Sequence, residues 1–326
     1  MRIETAAASY RRAVLSLSGW TLYLGWVIGT AVALLSLYLV SLVGLAQVKL
    51  LPPPPIINNL CADAKLKFYR DHLLEAPTLI TVGSSVAWRD VDSAELQGNG
   101  QVPLNAGFCA AQVNQAAFVA RFFMDQFPTV DTVLAVLAPQ DLRGCSQTRT
   151  RLFDRRDAEA YMFRRTWVYG LYLRYFDPVS LARNVRRLSR HLRDLDMDQW
   201  GDGLLVRTTA RPVIYTAFGH YDPTCFTALH DLAVSVRARG ARLMVVAAPI
   251  NSEWTRRFDP DHRIVRALAT RTEAALKETG AIFWNARKDF PTRPSDFTDN
   301  ALHLERGTAA RFTAALARVL DRGARS

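Results

Sequence analysis

No Cys-x-x-Cys pair occurs in the 326 residues, and the four cysteines (Cys61, Cys109, Cys145, Cys225) form no Cys/His cluster with the paired spacing of a zinc site. Zinc-finger and thioredoxin-type readings are thereby excluded. Two states of the thiols stay open: one or two disulfides in an exported domain, or free buried cysteines. There is no fixed-period repeat, no low-complexity tract beyond the four prolines at 52–55, and no surplus of glycine or proline. Collagen-like and wholly disordered chains are excluded on that ground. Acidic residues are in deficit, 30 against 41 Lys and Arg, for a net charge of +11 carried mostly by arginine. Such a balance suits nucleic acid, an anionic membrane surface or an acidic polymer, and does not choose among them.

The longest absence is of charge. Nothing ionisable as a cation or carboxylate lies between Arg12 and Lys49, and none again until Asp63. About 20 apolar residues span a bilayer core, and residues 19–46 exceed that length. Trp20, Tyr23 and Trp26 gather at one end, where aromatic rings favour the headgroup boundary. A cleavage site at Ala31-Val32-Ala33 would leave a long apolar remnant behind, so a retained transmembrane helix is expected. Arg2, Arg11 and Arg12 precede the run, which predicts a cytoplasmic tail over residues 1–18 and an extracytoplasmic location for the rest. Residues 47–75 read as a linker whose prolines form a stiff spacer. If the domain is exported, nucleic acid is not an expected partner.

From residue 76 to 326, short apolar runs alternate with helix-like stretches. Residues 78–82 (TLITV), 130–137 (VDTVLAVL), 241–250 (ARLMVVAAPI) and 281–284 read as buried strands, and 115–126, 226–239, 265–279 and 306–322 as helices, with Gly240 and Gly280 as stops. That alternation predicts an α/β fold with a parallel sheet covered on both faces. Residues 143–211 break the pattern. They are rich in arginine and aromatics, and read as a mostly helical insertion. Most of its arginines read as a solvated surface, and the alternative is a lid for an anionic glycan or headgroup.

In such a sheet, ligand sites form at the carboxyl ends of strands. Gly83-Ser84-Ser85 follows the first strand, where a glycine permits a sharp turn and Ser85 is presented at the rim. Alone, the tripeptide suits a helix N-cap as well. Near the other end of the chain, Asp296, Asp299 and Asn300 lead into His303. A nucleophilic serine needs a base, and that base needs an orienting acid; one short loop holds both.

Together these segments resemble the SGNH (GDSL-like) hydrolase superfamily over roughly residues 78–322. Gly83-Ser84-Ser85 stands for the Gly-Asp-Ser block, with Ser85 in the nucleophile's place. Asn105-Ala106-Gly107-Phe108-Cys109-Ala110 is similar to the second block, and Ala138-Pro139-Gln140-Asp141 to the Gly-x-Asn-Asp block. The resemblance implies a three-layer, flavodoxin-like catalytic domain over residues 76–326. It implies Ser85 as nucleophile, His303 as base and Asp299 as its orienting acid, although the family spacing of three falls on Asn300, and Asp296 is in reserve. The implied oxyanion hole draws on Ala110 or Gly107, with the Gln140 amide replacing an asparagine. Residues 247–254 and the His303-to-Phe312 pattern resemble bacterial proteins tied to O-acetylation of extracellular polysaccharide. That branch implies a single-pass protein of a bacterial inner membrane with a periplasmic domain, acting on a polysaccharide or other acylated substrate. It needs no metal or organic cofactor, and as a transferase it would draw acetyl groups from a membrane acyl-donor protein or from a pre-acetylated donor glycan. A lipid-directed esterase or thioesterase and a non-catalytic glycan-binding or assembly protein are the alternatives.

Overall fold

The computed structural model describes residues 2–72, 76–97, 100–190, 195–205 and 214–323, with side chains from residue 19 onward. Five strands form one parallel sheet: β1 (Leu79–Gly83), β2 (Pro103–Gly107), β3 (Thr132–Leu137), β4 (Arg242–Ala247) and β5 (Ile282–Asn285), in the order β2-β1-β3-β4-β5. This is the flavodoxin-like order, in which the chain switches direction of winding between β1 and β3 and opens a crevice at their carboxyl ends.

Alternate residues of each strand feed two separate cores. Ile80, Val82, Val133, Ala135, Leu243 and Val245 face a layer that includes the helices Val113–Gln126 and Pro223–Ala238. Leu79, Leu134, Val136, Met244 and Val246 face the other, which is closed by the terminal helix Arg306–Gly323. Both faces of the central strands β1, β3 and β4 are therefore buried, and these strands are apolar at most positions rather than at every second one.

Three features depart from expectation. β2 is absent from the predicted strands, because Pro-Leu-Asn-Ala-Gly carries little apolar signal. Second, residues 47–75 are not a bare linker. Pro52, Pro53 and Pro54 are buried against the domain, and Leu60–Asp71 is a helix that sends Leu66, Phe68 and Tyr69 into the core. Asn59 caps it, accepting from the N–H of Cys61 at 3.1 Å. Third, residues 143–211 hold three short helices, Arg155–Met162, Val168–Arg174 and Pro178–Leu188, joined by irregular chain, with residues 191–194 and 206–211 outside the described set.

A helix spans Arg2–Gln47, and its segment Gly19–Gln47 is long and apolar enough to cross a membrane, with almost none of it buried. The side chains of Arg2, Arg11 and Arg12 lie outside the described set. At its lower end the helix docks: Leu42 is fully buried, Tyr38 donates to the Tyr172 carbonyl at 3.4 Å, and its ring meets Phe176 edge-on at 5.0 Å. All four cysteines are paired, Cys61 with Cys109 and Cys145 with Cys225.

Candidate active site

β1 ends at Gly83, whose φ of +144° is a conformation that side-chain-bearing residues rarely adopt, and a Cβ there would strike the Val136 carbonyl. The chain turns sharply and starts the helix Ser85–Asp90, with the Ser84 hydroxyl accepting from the N–H of Val86 at 3.4 Å. The N-cap is thus Ser84. Ser85 is free to project, half-buried, from the first position of the helix at the carboxyl edge of the sheet.

The loop before the terminal helix closes on the same point. Phe297 bridges Leu304, and the N–H of Thr298 donates to the His303 carbonyl at 2.8 Å, so residues 297–304 fold back as a tight hairpin. Inside it, Asp299 Oδ1 accepts from the N–H groups of Ala301 (2.9 Å), Leu302 (2.7 Å) and His303 (3.2 Å). Its other oxygen accepts from His303 Nδ1 at 2.6 Å, and the Ser85 hydroxyl donates to His303 Nε2 at 2.9 Å. An ionised carboxylate on Nδ1 places the ring proton there and leaves Nε2 as the acceptor. Burial raises the Asp299 pKa, but the hydrogen bond and charge of His303 and the N–H groups of Leu302 and Ala301 prevail, and the carboxyl lies below its ordinary value. The acid is therefore held ionised beside the imidazole.

The two reserve candidates are engaged elsewhere. Asn300, at the family spacing, clamps the backbone of Tyr215, accepting from its N–H at 2.8 Å and donating to its carbonyl at 2.9 Å. Asp296 accepts from Arg311 at 3.0 Å and from Thr308 at 3.2 Å. The loop uses four residues from acid to base, not three, because the Asp299 side chain wraps three N–H groups on the way.

The expected oxyanion donors divide. Gly107 is unsuited: its N–H donates to Asn105 Oδ1 at 2.9 Å. It serves close packing instead, since a Cβ there would sit 2.6 Å from the backbone nitrogen of Trp88. Ala110 occupies the turn after β2 in the left-handed region, φ +59°, and among the described residues its N–H has no protein acceptor. That turn is tied to β1 by the N–H of Phe108, which donates to the Gly83 carbonyl at 3.0 Å. Gln140 follows β3 in a single 3-10 turn. Among the described residues its buried Oε1 has no donor, and a half-turn of the amide places Nε2 at the same position.

Several further residues brace the site. Asn105 Nδ2 donates to the carbonyls of Ala87 (3.0 Å) and Trp88 (3.3 Å) and to Asp202 Oδ1 (2.6 Å), fixing the Ser85 helix to β2. Asp90, fully buried, accepts from the Leu304 N–H at 2.9 Å; burial holds its carboxyl well above the ordinary pKa, and the charge of Asp299 adds to the effect. Asp141 accepts from the Ala138 N–H at 2.9 Å, and burial pushes it up to about 7. The Tyr215 ring lies 6.1 Å from the imidazole. No cluster of three or more His, Cys, Asp or Glu suited to a metal occurs among the described residues.

A serine, an imidazole and an ionised carboxylate in hydrogen-bonded line define the site as one of nucleophile–base–acid type. No family model matches the chain, and no curated protein matches it. Among solved structures, it is similar to a GDSL-like lipase from Bacteroides thetaiotaomicron VPI-5482, at 14% identity over 80% of this chain and 98% of that one, with a TM-score of 0.44. It is also similar to a Streptococcus pneumonia protein described as a platelet activating factor (12% identity, 86% and 97% covered, TM-score 0.42). A third is the inhibitor-bound M. smegmatis aryl esterase (14% identity, 75% and 98% covered, TM-score 0.38).

Proposed function

We propose that this protein is a membrane-anchored serine acyl hydrolase or O-acyltransferase that removes or transfers acetyl groups on an exported or cell-envelope polysaccharide. The observation that carries the reading is the continuous line from Ser85 Oγ to His303 Nε2 (2.9 Å) and from His303 Nδ1 to Asp299 (2.6 Å). His303 takes the Ser85 proton as the hydroxyl attacks the acyl carbonyl, and Asp299 stabilises the imidazolium that forms. The N–H groups of Ser85 and Ala110, with the Gln140 amide, receive the oxyanion. Collapse of the tetrahedral adduct gives an acyl-Ser85 and a leaving alcohol protonated by His303. Water or a sugar hydroxyl, deprotonated by the same imidazole, then takes the acyl group and restores the serine.

Placement at a membrane is supported by the apolar helix Gly19–Gln47 and by large apolar side chains left exposed on the domain near its base, Phe176 at 60% and Val179 at 73%. Two disulfides suit an oxidising, extracytoplasmic compartment. The test is release of p-nitrophenol from p-nitrophenyl acetate, with labelling by a fluorophosphonate, in wild type and Ser85→Ala. Activity and label lost together in the variant support the reading. Equal rates and no label in either protein refute the enzyme and leave an anchored binding domain.

A further inference from the structure

A cavity opens on the carboxyl side of the sheet, beyond β4 and β5. Its volume is about 480 Å³, and its walls include Ile250, Ser252, Arg256, His262 and Arg287. That volume is in the range of small-molecule sites. No carboxylate lines it.

We propose that this cavity binds an oxyanion, a carboxylate or phosphate group, between Arg256, Arg287 and the Nε2–H of His262. Three observations carry the assignment. The first is unpaired charge: among the described residues neither Arg256 nor Arg287 has a carboxylate within 4.0 Å, although both face the same space. The nearby acids are already engaged. Asp259 accepts from the N–H groups of Ile264 (3.0 Å) and Val265 (3.2 Å), and Asp261 pairs with Arg263 at 3.5 Å.

The second is orientation. Arg287 Nη2 lies 3.0 Å from His262 Nδ1. A guanidinium can only donate, so Nδ1 accepts and the imidazole carries its proton on Nε2. His262 thereby fixes Arg287 without neutralising it. The third is backbone cost. His262 is held at φ +55°, unfavourable for a residue with a side chain, at the start of the helix Arg263–Leu276, and its side chain makes no capping bond there. Its ring serves Arg287 instead. Partial burial also lowers the Arg287 pKa, and the charge of Asp259, which raises it, only partly offsets the effect.

The cavity is coupled to the site at Ser85 through one residue. Asn251, between the wall residues Ile250 and Ser252, donates its N–H to the Ala301 carbonyl at 2.9 Å and its side-chain amide to the Asp299 carbonyl at 3.4 Å. An anion held here is therefore on the rim that carries the acid–base loop, either as part of the acylated substrate or as a free ion. The binding itself does not depend on the chemistry proposed for Ser85.

The experiment uses the full chain in detergent micelles. Inorganic phosphate and glucuronate are titrated by calorimetry into wild type, Arg256→Gln and Arg287→Gln. Arg256 is exposed, so its replacement leaves the fold intact, and thermal melting checks both variants. Saturable binding weakened about tenfold by Arg256→Gln, and at least as much by Arg287→Gln, is expected from the loss of one charged hydrogen-bond donor. Absence of saturable binding below about 10 mM in wild type, or equal affinity in Arg256→Gln, overturns the site. Steady-state hydrolysis separates the two sources. A KM raised by Arg256→Gln for acetylated glucuronate but not for p-nitrophenyl acetate assigns a substrate-borne anion. Unchanged KM values beside weakened phosphate binding assign a free one. Should the protein hydrolyse neither ester, the calorimetry still decides the site.

Discussion

Replacing Asp299 with Asn should inactivate the enzyme by reversing one proton rather than by loosening the fold. The carboxylate makes two different sets of contacts: one oxygen accepts from three backbone N–H groups, and the other from His303 Nδ1. An amide can keep only one of these sets. With its nitrogen turned to the backbone, three buried N–H donors lose their acceptor, at about 1–3 kcal/mol each. With its nitrogen turned to the imidazole, a single contact is inverted, and His303 can answer by moving its proton to Nε2. The second arrangement is cheaper by several kcal/mol and is the one expected. It points an N–H at the Ser85 hydroxyl, which then has no base. The same wrong-tautomer substitution in a serine protease lowers kcat roughly 10⁴-fold, equivalent to about 5.5 kcal/mol, and a loss of that order is expected here. Asp299→Ala serves as contrast: it strands all three N–H groups and should destabilise by about 3 kcal/mol or more. Steady-state hydrolysis of p-nitrophenyl acetate and urea denaturation measure the two effects separately. An Asn variant with near-normal kcat would refute the role given to Asp299. So would an Asn variant that fails only because it unfolds.

Three further outcomes follow from the surroundings of the site. Gly107→Ala should cost about 1–3 kcal/mol and lower kcat, because the new methyl meets the backbone of Trp88 and Ala87 and displaces the Ser85 helix; denaturant midpoints and kcat read the two effects. Asp141, raised by burial from 3.8 to about 7, binds a proton more tightly folded than unfolded, so its contribution is whole below pH 4 and is lost as pH rises through 7. Asp141→Asn keeps the acceptor for the Ala138 N–H and should gain stability over wild type above pH 7, by about 4 kcal/mol at most, with the difference vanishing near pH 4; melting curves across that range test the sign. Cys145→Ser with Cys225→Ser removes a crosslink spanning 80 residues and should cost about 2–5 kcal/mol, read by urea titration against the oxidised parent.

How much of this was legible in the residues depended on which force placed each one. β1, β3 and β4 are buried on both faces, and so their positions are written as nearly unbroken apolar runs; the edge strand β5 is half-buried and is legible from Ile282, Phe283 and Trp284. β2 is placed by polar contacts instead. Asn105 in its centre bonds the Ser85 helix, Asp202 and Lys65, and a pattern of hydrophobicity does not register such a strand. The helix Leu60–Asp71 was hidden in the same way. Asp63 and Lys65 look like solvent-facing charges. Yet Asp63 accepts from the N–H groups of Ile57 (2.8 Å) and Asn59 (3.1 Å), and Lys65 is buried on the Gly201 carbonyl. In the site, Ser85 and His303 stood out because a serine after a strand and an acid-flanked histidine are locally visible. The choice among Asp296, Asp299 and Asn300 was not, since it turns on how a loop spends its backbone N–H groups. The blocked donor at Gly107 was likewise invisible, because its acceptor is a side chain two residues back.

The docked foot of the N-terminal helix bears on reach. Leu42 is buried, Tyr38 is bonded to the Tyr172 carbonyl, and the three prolines beyond are pressed into the domain, so the chain leaves the apolar span already packed on the domain. On the proposed anchoring, the protein is less a tethered enzyme sweeping a volume than a fitting bolted at one height above the lipid. If the proposed polysaccharide substrate holds as well, polymer would have to be fed past Ser85 at that height instead of being sought out.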